Sequence, residues 1–349
     1  MRIFIQFDDP YVPHPNVLEP LFLDLIAMGI AVNTPIDQEV NMVYLVSVLP
    51  KPTENLTAEW IHPTKATQLI NEPNAPSVLV HFGPAAPWAK GLPSYFIPLG
   101  SHVKKRNTGL ITAWMHKKRI QHTMQQAKQV VALDEWHAQN NPGAQRVYLE
   151  KAPLPNFEWS ALAPIRSALT DGNQYLLAFV DTAAIITIVK AFSVFKKWQL
   201  STMSLVFVLD TEEERQKAST LLLGYKYRDA VELVSLANFK LEWIAASYLT
   251  IFSQMNSHRF QFLTYAMRYQ LPFLLHQDPL TPAFILPALA AAGEYFNFNE
   301  PDTLANHFKL YYKDEMYRAA KGLEVEKAIQ SEMKRFQETA TLVWPRDLG

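Results

Sequence analysis

The chain has 349 residues, a length that suits two domains better than one small domain. Its 32 basic and 33 acidic residues nearly cancel, so the overall charge gives no argument for nucleic-acid binding. There is no cysteine, which excludes disulfide scaffolds, thiol nucleophiles and cysteine-based metal sites. No two of the 11 glycines lie closer than eight positions apart, which excludes a P-loop and a GxGxxG fingerprint.

The first half of the chain alternates short apolar runs with helical ones. The predicted strands cover residues 2–7, 41–49, 77–82, 95–98 and 129–133, and the predicted helices cover 17–28, 58–70 and 111–128. Nearly uninterrupted apolar strands separated by helices are typical of a parallel sheet buried on both faces. The apolar run after Met1 is far too short for a signal peptide, so we expect a cytoplasmic protein.

The pattern breaks near two closely spaced prolines, Pro153 and Pro155, and residues 152–173 are predicted to be a linker. It then restarts. Predicted strands cover 174–180, 204–209, 230–234, 248–252 and 272–276, predicted helices cover 183–198 and 211–223, and the chain is mostly helical from 303, ending in a charged helix over about 324–341. The sequence therefore predicts an α/β protein with two doubly wound, Rossmann-type domains whose parallel sheets face a cleft.

This order of elements resembles that of the GT-B glycosyltransferases, and the second half is most similar to their retaining family-four branch. Within residues 246–274, Tyr265-Ala-Met-Arg268 and Gln270-Leu-Pro272 occupy the places of the family's Glu-Ala-Met-Ala and Gly-x-Pro. The segment 126–136 and the turn Pro153-Leu-Pro-Asn156 resemble further family segments. The resemblance implies an acceptor-side domain over 1–155, a nucleotide-sugar donor domain over 156–330, and a helix and tail over 331–349 that return toward the first domain.

The donor-site motifs depart from the family pattern. The family uses two glutamates separated by seven residues, and here the second falls on Tyr265 and the first on Ser257 or His258. The arginine and lysine that hold the diphosphate in the family follow the first strand of the second domain. The corresponding stretch, Asp181–Ile186, has neither.

A substitute diphosphate site is predicted at the start of the next helix. Ser257 is placed as an N-cap, and Arg259 can supply positive charge beside the helix N-terminal amides. The resemblance places Asn238 beside the nucleotide base, and Asn256 and Tyr265 complete the expected donor-binding set. The alternative for this segment is an ordinary capped helix with a solvated arginine.

His81, at the end of a predicted strand, falls where the family places a histidine close to the reacting sugar, so the resemblance implies a catalytic role. The alternative is a strand-end histidine satisfied by backbone groups. The resemblance also implies transfer with retention and without a metal ion, and the nucleotide-sugar is then a substrate rather than a cofactor.

Residues 73–133 contain no acidic residue and eight basic ones. The resemblance suggests an anionic acceptor or the inner membrane surface as the partner of this segment, with peripheral attachment there, and nucleic acid is not expected. The alternative is a solvated face neutralised by nearby acids. The residues expected to form the surface are Lys104, Lys105, Arg106, Lys117 and Lys118.

Two functions follow from the sequence. The first is a hexosyltransferase-type enzyme that moves a sugar from a nucleotide-sugar to an unknown acceptor. The second is a non-catalytic GT-B-like protein, which acts as a partner subunit or as a nucleotide- or sugar-binding module.

Overall fold

The structure, a computed structural model, describes residues 2–7, 42–46, 59–72, 77–82, 94–97, 118, 122, 125, 129–132, 145–146, 159–255, 257–277 and 287–339. The chain divides into two compact units. One comprises Met1–Ala152 with Thr339–Gly349, and the other comprises Pro153–Glu338. Each unit has a parallel sheet of its own.

The sheet of the first unit has seven described strands. They are β1 (Arg2–Phe7), β2 (Met42–Val46), β3 (Glu59–Ile61), β4 (Ser77–Phe82), β5 (Ser94–Ile97), β6 (Gln129–Ala132) and β7 (Gln145–Arg146). The strand order is β3-β2-β1-β4-β5-β6-β7, and every pairing is parallel. β1 therefore lies inside the sheet, with β2 and β3 on one side and β4 to β7 on the other, as in a doubly wound fold.

Phe4 lies at the centre of this sheet. It is in register with Tyr44 on β2 and with Leu79 on β4. Its side chain is fully buried and stacks on Tyr44, with 5.2 Å between the ring centroids. A pair of this kind adds about 0.5 to 1.5 kcal/mol to the free energy of burial.

The helix predicted over residues 58–70 is wrong in its first part. Glu59–Ile61 forms β3, and α1 covers Pro63–Ile70. The reason is Pro63, because a proline restrains the residue before it to extended backbone, and His62 has ψ 148°. His62 then caps the helix, since its Nδ1 accepts a hydrogen bond from the Thr64 N–H at 3.3 Å.

The sheet of the second unit has six strands within the described residues. They are β8 (Tyr175–Phe179), β9 (Ser204–Leu209), β10 (Val231–Ser235), β11 (Leu249–Phe252), β12 (Phe273–His276) and β13 (Glu294–Phe296). Their order is β10-β9-β8-β11-β12-β13, again with every pairing parallel. The predicted α/β architecture of two doubly wound parallel sheets is confirmed.

The α-helices of the second unit are α2 (Trp159–Thr170), α3 (Ile185–Trp198), α4 (Glu212–Leu221), α5 (Glu242–Ala246), α6 (Ser257–Arg268), α7 (Pro287–Ala292), α8 (Pro301–Lys313) and α9 (Glu315–Thr339). The linker predicted over 152–173 is therefore wrong over residues 159–170, because α2 lies there. Its alanines and leucines favour a helix and tolerate Pro164 inside it. The helix ends at a turn with positive φ at Asp171 (52°) and Gly172 (85°).

The core of the second unit lies between the sheet and the helices that pack on it. Every residue of β8 and β9 is buried. The buried residues of α3 recur at three- and four-residue steps and include Phe192 and Phe195, and the Phe195 ring meets Phe308 of α8 edge-on at 6.2 Å. Each such side chain contributes about 1.5 to 3 kcal/mol through burial.

α6 ends in a backbone conformation that favours glycine, at the position that the resemblance aligns with the glycine of the family's Gly-x-Pro. Gln270 adopts φ 57°, a conformation that favours glycine. The Leu271 N–H donates to the Ala266 carbonyl at 3.0 Å and the Gln270 N–H donates to the Met267 carbonyl at 3.1 Å, which together form a Schellman motif. The motif is thus formed without the glycine that the resemblance places there.

Candidate functional site

The direction of strand order reverses at β8, between β9 on one side and β11 on the other. In open parallel sheets, ligands bind outside the carboxyl ends of the strands at such a reversal. The segments that leave these three strands begin at Val180, Asp210 and Ser253. We call this place the crossover edge.

Asp181 connects two of the segments that meet at the crossover edge. Its backbone N–H donates to the Ser253 Oγ at 3.3 Å, so the segment after β8 is joined to the segment after β11. Its Oδ1 accepts from the Ala184 N–H at 3.0 Å, just before α3 begins. Asp181 therefore fixes local backbone, and it puts a carboxylate where the resemblance expects positive charge.

Arg259 lies in the first turn of α6 and reaches across the crossover edge. Its Nη2 contacts both carboxylate oxygens of Asp210, at 3.3 and 3.4 Å, and its Nη1 donates to the Gln254 carbonyl at 3.2 Å. Asp210 follows β9 and Gln254 follows β11, so the guanidinium joins the two strands that flank β8. The Arg259 side chain is 3% exposed, whereas that of Asp210 is 50% exposed.

Glu214 adds a second carboxylate beside this pair. Thr211 caps α4, accepting from the Glu214 N–H at 3.2 Å, and this is the Thr-x-x-Glu spacing of a capping box. Burial raises the pKa of the Glu214 carboxyl, as does nearby Asp210, whereas Arg259 and the backbone N–H groups of Asp210 and Thr211 oppose the rise. The crossover edge thus holds one buried cation among several carboxylates.

A cavity of about 460 Å³ lies beside the same edge, lined by Thr182, Ala183, Lys217, Thr220 and Leu221. Thr182 and Ala183 belong to the segment after β8, and the other three residues belong to α4. Lys217 brings a further positive charge close to the place where the resemblance expects the diphosphate.

The predicted donor residues are distributed over this half of the sheet. Ser257 begins α6, while Asn256 lies outside the described residues. Asn238 is exposed in a short 3₁₀ turn after β10, and its Nδ2 donates to the Ser235 Oγ at 3.3 Å. Tyr265 is only 7% exposed, and the Arg268 guanidinium carbon lies 6.0 Å from its ring centroid. The donor-binding roles of these residues stay predictions.

The remaining predicted residues belong to the first unit. His81 is the penultimate residue of β4, in register with Gln6 on β1 and Phe96 on β5. Lys118 is exposed and helical. Four residues of the predicted basic surface lie outside the described residues: Lys104, Lys105, Arg106 and Lys117. The catalytic role of His81 and the anionic partner of the basic surface stay predictions.

Sequence reasoning missed Asp210 and Glu214. Two signals were available: an acid directly after a buried strand, and the capping-box spacing. Their contact with Arg259 was not visible, because 49 residues separate Asp210 from Arg259 in the sequence.

A second polar cluster lies at the opposite edge of the same sheet, where β13 begins. His307 Nδ1 lies 2.9 Å from Glu294 Oε2, its Nε2 lies 3.2 Å from the Tyr295 carbonyl oxygen, and the Tyr317 hydroxyl donates to Glu294. Burial would raise the pKa of Glu294, but hydrogen bonds from His307, Tyr317 and Tyr311 lower it to about 2. This cluster fastens α8 and α9 to the sheet, away from the crossover edge.

The described part of the chain contains no group of three or more His, Cys, Asp or Glu side chains able to hold a metal ion. Within the same ranges, no helix has the length and apolar character needed to cross a membrane.

Solved structures match almost the whole chain. HepE from Anabaena, in complex with UDP-glucose, matches with a TM-score of 0.67 and 10% identity over 97% of this chain and 99% of that chain. A glycosyltransferase from Rickettsia africae matches with a TM-score of 0.61 and 12% identity over 98% of this chain and 99% of that one. WaaG, a glycosyltransferase involved in lipopolysaccharide biosynthesis, matches with a TM-score of 0.58 and 14% identity over 98% and 96% of the two chains.

These matches establish the fold, which confirms the predicted resemblance to GT-B glycosyltransferases. The retaining family-four branch is compatible with them. No family model matches the chain, and no curated protein matches it in sequence.

Proposed function

We propose that this protein is a glycosyltransferase that moves a sugar from a nucleotide-diphosphate sugar to an acceptor. One observation carries the proposal: the crossover edge of a doubly wound sheet presents polar groups, in a chain that shares its fold over 97% of its length with HepE bound to UDP-glucose. Since fold alone does not define an activity, the residues at that edge have to account for the donor.

The diphosphate is proposed to lie at the start of α6, near Ser257 and Arg259. The first backbone N–H groups of a helix lack partners within it and, with the helix dipole, favour an anion. Asn238, exposed at the end of β10, is proposed to contact the nucleotide base. Asn256 and Tyr265 complete the proposed donor set, Tyr265 at the ribose as the resemblance implies.

The chemical step is proposed to proceed with retention and without a metal ion. Negative charge develops on the leaving diphosphate while positive charge develops on the sugar ring, so fixed dipoles and a cation near the phosphates stabilise the transition state. His81 is proposed to approach the reacting sugar. The acceptor is proposed to be anionic and to meet the basic surface of the first unit.

A second candidate is supported by the charges at the crossover edge. Asp181 and Asp210 place carboxylates close to the expected phosphate position, and like charge there weakens the binding of an anion. A GT-B-like protein that has lost catalysis and acts as a partner subunit or ligand-binding module would tolerate this arrangement.

Two measurements separate the candidates. Thermal shift and calorimetry with UDP, GDP and UDP-glucose report binding, and release of UDP from UDP-glucose reports turnover. A transferase binds a nucleotide and releases UDP when a suitable acceptor is present. A binding module binds without release. No binding by any nucleotide would contradict the transferase and favour a non-catalytic partner subunit.

Arg259→Ala is expected to weaken nucleotide binding by about 1.5 to 3 kcal/mol, the scale of a hydrogen bond to a charged group. Arg215→Ala is the matched control, because Arg215 is a more exposed arginine on neighbouring α4 that pairs with Glu212 at 2.6 Å. Arg259→Lys keeps the charge and serves if the alanine variant is unstable. Equal affinity of the native protein and both Arg259 variants would refute a role for Arg259 in phosphate binding.

A further inference from the structure

The Arg259–Asp210 ion pair spans the end of β8, at the point where a donor nucleotide is proposed to bind. β8 lies between β9 and β11 in the sheet. Arg259 approaches from the α6 side and contacts Asp210 after β9 and Gln254 after β11. The guanidinium therefore joins the segments that leave β9 and β11 across the end of β8.

Arg259 is much more deeply buried than Asp210, so a ligand that approaches from solvent has more access to the Asp210 carboxylate. The Arg259 side chain is 3% exposed and the Asp210 side chain is 50% exposed. The part of the pair that solvent reaches is therefore mainly the negatively charged Asp210 carboxylate. Asp210 can separate from Arg259 at low cost in solvation, because half of its side chain is already exposed to water.

The contact between the two groups is also loose. The distances from Arg259 Nη2 to the Asp210 oxygens are 3.3 and 3.4 Å, whereas strong charge-assisted hydrogen bonds are about 2.7 to 2.9 Å long. Glu214 adds repulsion at the same place, since its carboxyl interacts unfavourably with Asp210. Both features lower the cost of separating Asp210 from Arg259.

We propose that Asp210 is an internal counter-anion, which holds Arg259 in the empty protein and is displaced when a nucleotide diphosphate binds to the guanidinium. The proposal rests on the proposed function, because it assumes a diphosphate ligand at the crossover edge. A phosphate oxygen accepts the same N–H donors as a carboxylate oxygen, so one acceptor can replace the other at Nη2. The contact of Nη1 with the Gln254 carbonyl keeps Arg259 in place during the exchange.

The expected consequence is that removing the Asp210 charge tightens diphosphate binding. Asp210→Asn keeps the shape of the side chain, and Asp210→Ala removes it. Both variants are expected to bind UDP and inorganic pyrophosphate between about threefold and thirtyfold more tightly than the native protein, because the competing ion pair is gone. Uridine, which has no phosphate, is expected to bind all forms equally.

Glu213→Gln is the matched control. Glu213 is an exposed acid in the first turn of α4, so this change removes the same charge nearby from a residue that is three positions from Asp210 in sequence. It is expected to change UDP affinity by less than about twofold, as a solvent-screened charge should. An equal gain in Glu213→Gln and Asp210→Asn would show a general charge effect and overturn the proposal.

Calorimetry with UDP and pyrophosphate on the folded variants tests whether Asp210 competes with the ligand for Arg259. Weaker or unchanged UDP binding by both Asp210 variants would overturn the proposal, because Asp210 would then orient Arg259 rather than compete for it. Binding by Asp210→Asn without binding by the native protein would support the counter-anion and contradict the proposed donor-binding activity of the native chain. Binding by neither would overturn both.

Discussion

Gly322→Ala offers a sharp test of how α9 packs on α6, the helix that carries Arg259. A Cβ atom added at Gly322 would lie 2.1 Å from the Gln270 carbonyl oxygen and 3.0 Å from its carbon. Because even close C···O contacts are about 3.3 Å or longer, α9 would have to move by roughly 1 Å. The same movement strains the hydrogen bond between Gln270 Nε2 and Glu326 Oε2, which is 2.9 Å long.

The magnitude follows from two opposing effects. Replacing glycine by alanine inside a helix normally stabilises a protein by about 1 kcal/mol, while overpacking costs typically about 1 to 3 kcal/mol. Because the 2.1 Å contact is with backbone and not with a flexible side chain, we expect a steric cost in the upper part of that range, about 2 to 3 kcal/mol. The free energy of unfolding is then expected to fall by about 1 to 2 kcal/mol. The change is measured as the shift of the urea midpoint between variant and native protein.

Gly224→Ala is the matched control, because no atom lies within 4 Å of a Cβ atom added there. It is expected to leave the stability unchanged or to raise it by less than about 1 kcal/mol. A Gly322→Ala protein as stable as the native one, or more stable, would refute the packing of α9 against the Gln270 carbonyl.

Three further predictions concern other parts of the chain. The pKa of Glu294 is lowered to about 2, so its contribution to stability is present above pH 4.5 and is lost as the pH falls from there toward 2. The melting temperature of Glu294→Gln should therefore fall less between pH 7 and pH 3 than that of the native protein. Lys196 donates to the Ser201 and Met203 carbonyls, so Lys196→Met should lower the free energy of unfolding by about 1 to 2 kcal/mol while Lys197→Met, at an exposed neighbour, changes it little. A protein with the five predicted basic residues changed to serine should lose salt-sensitive co-sedimentation with anionic vesicles, and equal pelleting of native and variant protein would exclude a membrane role for that surface.

The fold was largely predictable because its strands are short and almost wholly apolar. Residues 204–209 were predicted as a strand and form β9 with the same bounds, and all of them are buried. The errors have local causes. Pro63 begins a helix and restrains His62 before it to extended backbone, so the helix begins later than predicted. Pro164 argues against a helix in the sequence, although its neighbours favour one and the structure contains it.

The start of α6 was predicted to within one residue, because a polar residue before a helix that follows a buried strand is a local pattern. Ser257 was predicted as the N-cap and is the first residue of the helix. The donor-binding role of this segment stays a prediction. The burial of Arg259 was not predictable, since it depends on Asp210, 49 residues away, and on a carbonyl of the adjoining segment. The positive φ of Gln270 was also not predictable, because this conformation is common for glycine and uncommon for glutamine.

Hydrogen exchange with and without UDP tests most directly whether the crossover edge is the donor site. We expect slower amide exchange in residues 181–186 and 253–260 when UDP is added, since these segments leave β8 and β11 and lead into α3 and α6. Peptides that contain Glu294 and His307, at the opposite edge of the same sheet, should exchange at unchanged rates. Protection confined to that opposite edge, or no protection anywhere at saturating UDP, would contradict a nucleotide site at the crossover edge.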